Sequence, residues 1–278
     1  MMERRSEIEK QKERIKARMS KIKHKLVILS GKGGVGKSTV TANLSVTFAL
    51  RGQKVGILDA DIHGPSIPKI FGIRGRKLGR NDESSGIIPP AGEFGVKVVS
   101  MDFLLKGDEI PVIWRGPMKA SAIRQFLSDI EWGELDLLLV DLPPGTGDES
   151  LSVMQLIRDI DGVLMITAPS QISQLVVKRA VGFTRKLKVP LVGVIENMSG
   201  FVCPRCGEKS DILGSGGGQK ISEQLDIPFL GKIQIDQRIS KDSDDGVPFV
   251  FGHSETPAAK VFVQVADKVE KYLERRER

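Results

Sequence analysis

The sequence predicts an α/β fold, a mostly parallel β-sheet with helices on both faces, built as a single domain. Three observations predict it. Short runs dense in Val, Ile and Leu alternate with helix-period stretches once the first 25 residues are passed. Those runs show little polar alternation, as strands covered on both sides require. No linker divides two cores, and 278 residues suffice for one large body.

The elements follow in order. Residues 1–25 read as a basic helical arm ahead of the main domain, 26–278. Ten Lys/Arg stand there against four Glu, which accounts for +6 of the net charge of +7. The body is therefore nearly neutral. Glu9 to Glu13 and Lys10 to Arg14 keep helical spacing, and Ile8, Ile15, Met19 and Ile22 form a thin apolar stripe. This pattern suits a solvated or weakly docked helix, or a partner contact. The arm has no aromatic residue to stack on a base, so specific nucleic-acid binding is disfavoured. Strands are expected over 26–29, 54–58, 96–100, 135–141, 162–167, 191–196 and 228–231, and helices over 39–51, 119–129, 149–158, 173–187, 218–225 and 257–273. The glycine- and proline-containing stretch 74–94 reads as a surface excursion. Val261, Phe262, Val265, Val269 and Leu273 give the last helix an apolar stripe expected to pack on the sheet rather than lie on a membrane. No apolar run reaches the ~20 residues that cross a bilayer. The N-terminus has no apolar stretch of the secretory type. A cytoplasmic chain is expected.

Residues 31–39 carry the first chemistry: Gly31, Lys32, Gly33, Gly34, Val35, Gly36, Lys37, Ser38 and Thr39 spell G-x-x-x-x-G-K-[ST] between an apolar strand and a helix start. Such a loop turns backbone N–H groups onto a phosphate, backed by the positive end of the following helix. Lys37 then reaches the β- and γ-phosphates, and the Ser38 hydroxyl is a ligand for Mg²⁺. The chain is expected to bind a nucleotide.

Two further strand ends deliver carboxylates to the same edge. The run 54–58 leads into Asp59 and Asp61, and four apolar residues, Leu137–Val140, lead into Asp141. An aspartate closing such a run holds Mg²⁺ through a water. Helix capping is the alternative for Asp59 and Asp61. Asn197 follows the strand 191–196, where a turn former is one reading of it.

The only cysteines, Cys203 and Cys206, sit in C-P-x-C-G, a knuckle at 203–207 that turns both thiolates to one side. A tetrahedral zinc or an iron–sulfur cluster needs four ligands, and one chain supplies two. His24, His63 and His253 have no ligand spacing to the knuckle. Two copies related by a two-fold axis would complete the set. A bridging [4Fe–4S] cluster, a bridging structural zinc, and a dithiol or inert pair are the three readings.

Taken together, K-G-G-V-G-K-S-T, D-A-D-I-x-G-P-S-I-P, D-L-P-P-G-T-G-D and E-N-M-S-x-F-x-C-P-x-C-G resemble the Mrp/ApbC family of iron–sulfur cluster carrier ATPases. That family is a branch of the MinD/ParA superfamily of P-loop NTPases with a deviant Walker A motif. The resemblance spans roughly 20–275. It implies a slow ATP hydrolase that binds a [4Fe–4S] cluster at a homodimer interface and transfers it to apo iron–sulfur proteins. It implies that Lys32 reaches the partner's nucleotide, that Asp61 positions the attacking water, that Asp59 supports the Mg²⁺ shell, and that Asn197 contacts adenine. Catalytic roles thus fall to Lys32, Lys37, Asp61 and Asp141. His63 stands where many members have Tyr, and Trp114–Met118 also recurs in the family without an evident role. A positioning ATPase of the MinD/ParA type is the competing reading, weakly favoured by the basic arm and disfavoured by the cysteines.

Overall fold

The computed structural model describes residues 2–62, 64–81, 86–92, 94–104, 116–203 and 205–277, with backbone alone for 2–6, 116 and 117. His63, Trp114, Arg115 and Pro204, singled out above, lie outside the described residues. In chain order the elements are α1 (Met2–Met19), β1 (Ile22–Ser30), α2 (Lys37–Ala49), β2 (Val55–Asp59), α3 (Ile67–Ile70), β3 (Gly79–Arg80), β4 (Ile87–Ile88), β5 (Lys97–Ser100), α4 (Gly116–Asp129), β6 (Leu135–Asp141) and α5 (Asp148–Leu156). They continue with β7 (Gly162–Thr167), α6 (Gln171–Lys186), β8 (Leu191–Glu196), β9 (Phe201–Val202), β10 (Lys209–Ser210), α7 (Gly217–Leu225), β11 (Phe229–Lys232), α8 (Gln237–Asp245), α9 (Phe249–Gly252) and α10 (Pro257–Glu277).

Seven strands form one sheet in the order β11-β8-β7-β1-β6-β2-β5, and every pairing within it is parallel. Parallel pairing forces helical crossovers, which bury both faces. Leu26 and Ile28 of β1 face a core shared with α2, α9 and α10. Val27 and Leu29, alternating with them, face a second core shared with α1, α4, α5 and α6. The stripe of α10 packs as expected, with Phe262, Val265, Val269 and Leu273 in the first core.

The arm differs from expectation. Helix α1 docks on the body: Ile15 and Met19 are buried, and Arg18 pairs with Glu131 at 3.3 Å. Only Ile8 of the stripe remains exposed. Strand β1 begins at Ile22, four residues before the expected start, because the polar run Lys23-His24-Lys25 conceals it. Lys25 is buried there with Nζ on the carbonyl of Ile22 at 3.0 Å, and burial lowers its pKa. Helix α8 was not expected, since it buries no residue and leaves no apolar periodicity to read. Among the described residues, no helix is long and apolar enough to cross a membrane.

Candidate functional site

All seven strands point the same way, so their C-terminal ends share one edge, where open α/β sheets bind ligands. The loop between β1 and α2 lies there. Gly36 caps α2 in the left-handed conformation, φ 76°, and a Cβ at this position would run into Nδ2 of Asn197. At Gly31 a Cβ would approach the backbone of Val176 in α6 to 2.8 Å. Both glycines are thus required by close approach.

Lys37, Ser38 and Thr41 converge on one carboxylate. Asp141 closes β6 fully buried. Its Oδ2 lies 2.8 Å from Lys37 Nζ and accepts from Ser38 Oγ at 2.6 Å, and its Oδ1 accepts from Thr41 Oγ1 at 2.9 Å. Asp59 stands beside it, because β2 pairs with β6 in a register that matches Asp59 with Asp141. Asp59 accepts from Ser100 Oγ at 3.0 Å, from the Asp61 N–H at 3.2 Å and from the Ile67 N–H at 3.4 Å. Complete burial, and after it the charge of Asp141, pushes the Asp59 pKa up to about 8. The donor set of Ser38 Oγ and two strand-end carboxylates suits a hard divalent cation, which takes oxygen ligands.

A cavity of about 210 Å³ opens over these groups, lined by residues 33–39 with Ser30, Asp61, Ser66 and Pro144. Lys32 is not among its lining residues. A second cavity, about 290 Å³, adjoins through Gly36 and Thr39 and is walled by Asn197, Met198, Gln234, Ile235 and α8. Asn197 Nδ2 donates to the carbonyl of Val35 at 2.9 Å. The pair of cavities offers a polar recess for phosphates and a larger chamber for a nucleoside. On the far side of the loop, the Gly145 N–H donates to the Ser30 carbonyl at 2.8 Å, tying the segment after β6 to the end of β1.

The cysteines occupy the tip of the β9–β10 hairpin, which leaves the same edge after β8. The Cys203 N–H donates to the Glu208 carbonyl at 2.9 Å and the Gly207 N–H to the Cys203 carbonyl at 2.8 Å, forming the knuckle. Cys206 is exposed and Cys203 half-buried. The N–H groups of Cys206 and Arg205, directed at the Cys203 sulfur, hold its pKa below the ordinary thiol value. Among the described residues, no three His, Cys, Asp or Glu side chains gather as a metal-binding group.

The structure therefore brings Lys37, Ser38, Asp59, Asp61 and Asp141 together, sets Asn197 on the adjoining chamber, and leaves Lys32 and the cysteines off the lining of both cavities. Sequence reasoning missed Thr41, Ser100 and Glu196. Thr41 lies one helical turn beyond Lys37, a signal that could have found it. Ser100 and Glu196 are strand-end polar residues in otherwise apolar runs.

The ParA family model, described as NUBPL iron-transfer P-loop NTPase, matches residues 21–270. An iron–sulfur cluster carrier protein of Saccharolobus solfataricus is 49% identical over 94% of this chain and 88% of its own length. Another, from Methanocaldococcus jannaschii, is 51% identical over 92% of this chain and 89% of its own. A solved nucleotide-binding protein of Archaeoglobus fulgidus in complex with ADP superposes with a TM-score of 0.76 at 42% identity, covering 85% of this chain and 92% of that one. The match over the whole sheet, together with the phosphate loop described above, assigns the chain to the iron-transfer P-loop NTPases of the NUBPL/ParA family.

Proposed function

We propose that the protein is an ATP-dependent iron–sulfur cluster carrier that works as a homodimer. In this reading a [4Fe–4S] cluster is the cargo, held by Cys203 and Cys206 of both copies and passed to apo-proteins. One observation carries it: a two-thiol hairpin on the same sheet edge as a phosphate loop, in a chain with no other cysteine. Two thiols leave a four-thiolate site half filled, and a second copy completes it. The names of the relatives supply independent support for iron–sulfur cargo.

The site residues take their roles from chemistry. Lys37 exchanges Asp141 for the β- and γ-phosphates. Ser38 and Asp141 would hold Mg²⁺, with Asp59 behind them, and the ion would offset phosphate charge. Asp61, on the cavity wall, orients water toward the γ-phosphate. Lys32, outside that wall, is free to reach the partner's nucleotide, so hydrolysis requires docking. Asn197 reads the base. Turnover is slow, because its product is a change of dimer geometry.

Anaerobic reconstitution with an iron, sulfide and mass determination tests the reading. About four irons per two chains, lost in air, is the expected result. Zinc retained in air would replace the cargo with a structural metal. Sedimentation with liposomes or DNA by an iron-free protein would favour the positioning ATPase instead.

A further inference from the structure

The segment that carries both cysteines leaves the body at Ser199 and returns at Gly216, and one carboxylate fastens both ends. Glu196, the last residue of β8, is fully buried. Its Oε1 accepts the Gly216 N–H at 2.7 Å and the Ser199 hydroxyl, and its Oε2 accepts the Gly218 N–H. The hydroxyls of Ser199 and Ser215 lie 3.1 Å apart across the base. Three donors and the positive end of α7 satisfy a charge that would otherwise be costly to bury.

Glu196 is also the neighbour of the nucleoside chamber. Asn197 walls that chamber and holds the phosphate loop through Val35. Met198 takes a left-handed conformation, φ 57°, unusual for a residue with a side chain. Such a conformation persists only where the surroundings fix it. They do so here: the Ser199 N–H donates to the Ile233 carbonyl at 2.9 Å and the Gly200 N–H to the Gly214 carbonyl at 3.2 Å. Five consecutive residues thus connect a nucleoside wall, a buried clamp and the foot of the thiol hairpin.

We propose that Glu196 is a positioning residue that couples nucleotide in the chamber walled by Asn197 to the geometry of the Cys203–Cys206 hairpin. The inference rests on the nucleotide reading of that chamber and needs neither a cluster nor a dimer. Filling the chamber repositions Asn197, the adjoining turn moves with it, and the clamp converts that movement into a shift of both hairpin feet. Packing alone would not need a charge here. A carboxylate gives directional bonds to both feet at once.

The test uses the full-length, metal-free chain and the rate of thiol alkylation by iodoacetamide, with and without Mg·ADP, alongside a direct measurement of ADP affinity. Saturating ADP should change the wild-type rate by about fivefold or more, the lower range of ordinary allosteric coupling. Glu196→Gln keeps the shape but sets an amide against backbone donors. It should bind ADP and show a thiol rate that no longer responds. Glu196→Asp, which retains the charge, should recover part of the response. A purely structural role would lower the melting temperature of Glu196→Gln yet leave the ADP response intact, and that result overturns the proposal. Where Glu196→Gln does not fold, Ser199→Ala removes one donor and should weaken the response; an undiminished response is again contrary. ADP binding without any thiol response in the wild type defeats the coupling alone. No ADP binding at all defeats the nucleotide reading, and the coupling with it.

Discussion

Asp59 makes the metal-free protein's stability depend on pH in an unusual direction. Its pKa rises from 3.8 to about 8 on folding, through burial and the adjacent Asp141. Between those values the unfolded chain has released this proton while the native protein retains it. The native state therefore binds more protons, and stability falls as pH rises through the window. Each pH unit costs about 1.4 kcal/mol from this group, so from pH 5 to pH 8 the loss approaches roughly 4 kcal/mol. Asp59→Asn removes the titration. It also removes one acceptor from the set made by Ser100, Asp61 and Ile67, a pH-independent cost of about 1 kcal/mol. The informative quantity is hence the slope rather than the absolute stability. Urea unfolding in EDTA, without nucleotide, at pH 5, 6, 7 and 8 should give wild-type midpoints that decline relative to the variant. Parallel curves for the two proteins would refute the argument, because all other titrating groups are common to both.

Three more outcomes are expected. Lys37→Ala should abolish nucleotide binding, measured by calorimetry, and should also destabilise the chain by about 3 kcal/mol, since it strands the buried Asp141 carboxylate 2.8 Å away; near-normal ATP affinity would remove Lys37 from the site. Lys32→Ala should bind nucleotide but not turn it over, and mixing it with Asp61→Ala should restore part of the activity through one intact composite site; no rescue in proven heterodimers would end the cross-protomer role. Cys203→Ser or Cys206→Ser should lose all iron while still binding ATP, because each change removes two of four ligands from a symmetric pair; full iron retention in either variant contradicts a shared site.

The sequence was most legible where packing speaks loudly. Strands β6, β7 and β8 fall on the expected residues, because continuous apolar runs bounded by turn formers admit little else. The loop 31–39 was equally plain, its glycines and lysine having a fixed order. What stayed hidden depends on neighbours distant in the chain. Asp59 and Asp141 were both recognised, but the raised pKa of Asp59 follows from its complete burial and then from Asp141 across the β2–β6 pairing, which no spacing encodes. Glu196 reads as one more polar residue until the N–H groups of Gly216 and Gly218 fold back onto it. Helix α8, with Ile239 its one apolar residue, announces itself only by the Asp236 cap, whose side chain accepts from the Arg238 N–H.

The middle strand of the sheet has a consequence for how the chain is made. Ile22–Ser30 is synthesised before both of its neighbours, which are drawn from Leu135–Asp141 and Gly162–Thr167. On the ribosome it must wait for more than a hundred further residues before either side is paired. Closing so long a loop is slow, and an unpaired apolar strand invites association with other chains meanwhile. The highly charged segment immediately upstream offsets that hazard, since flanking charge keeps such a run apart from its like. Helix α1 sets that charge beside the strand, and in the finished fold its Ile15 and Met19 join the second core.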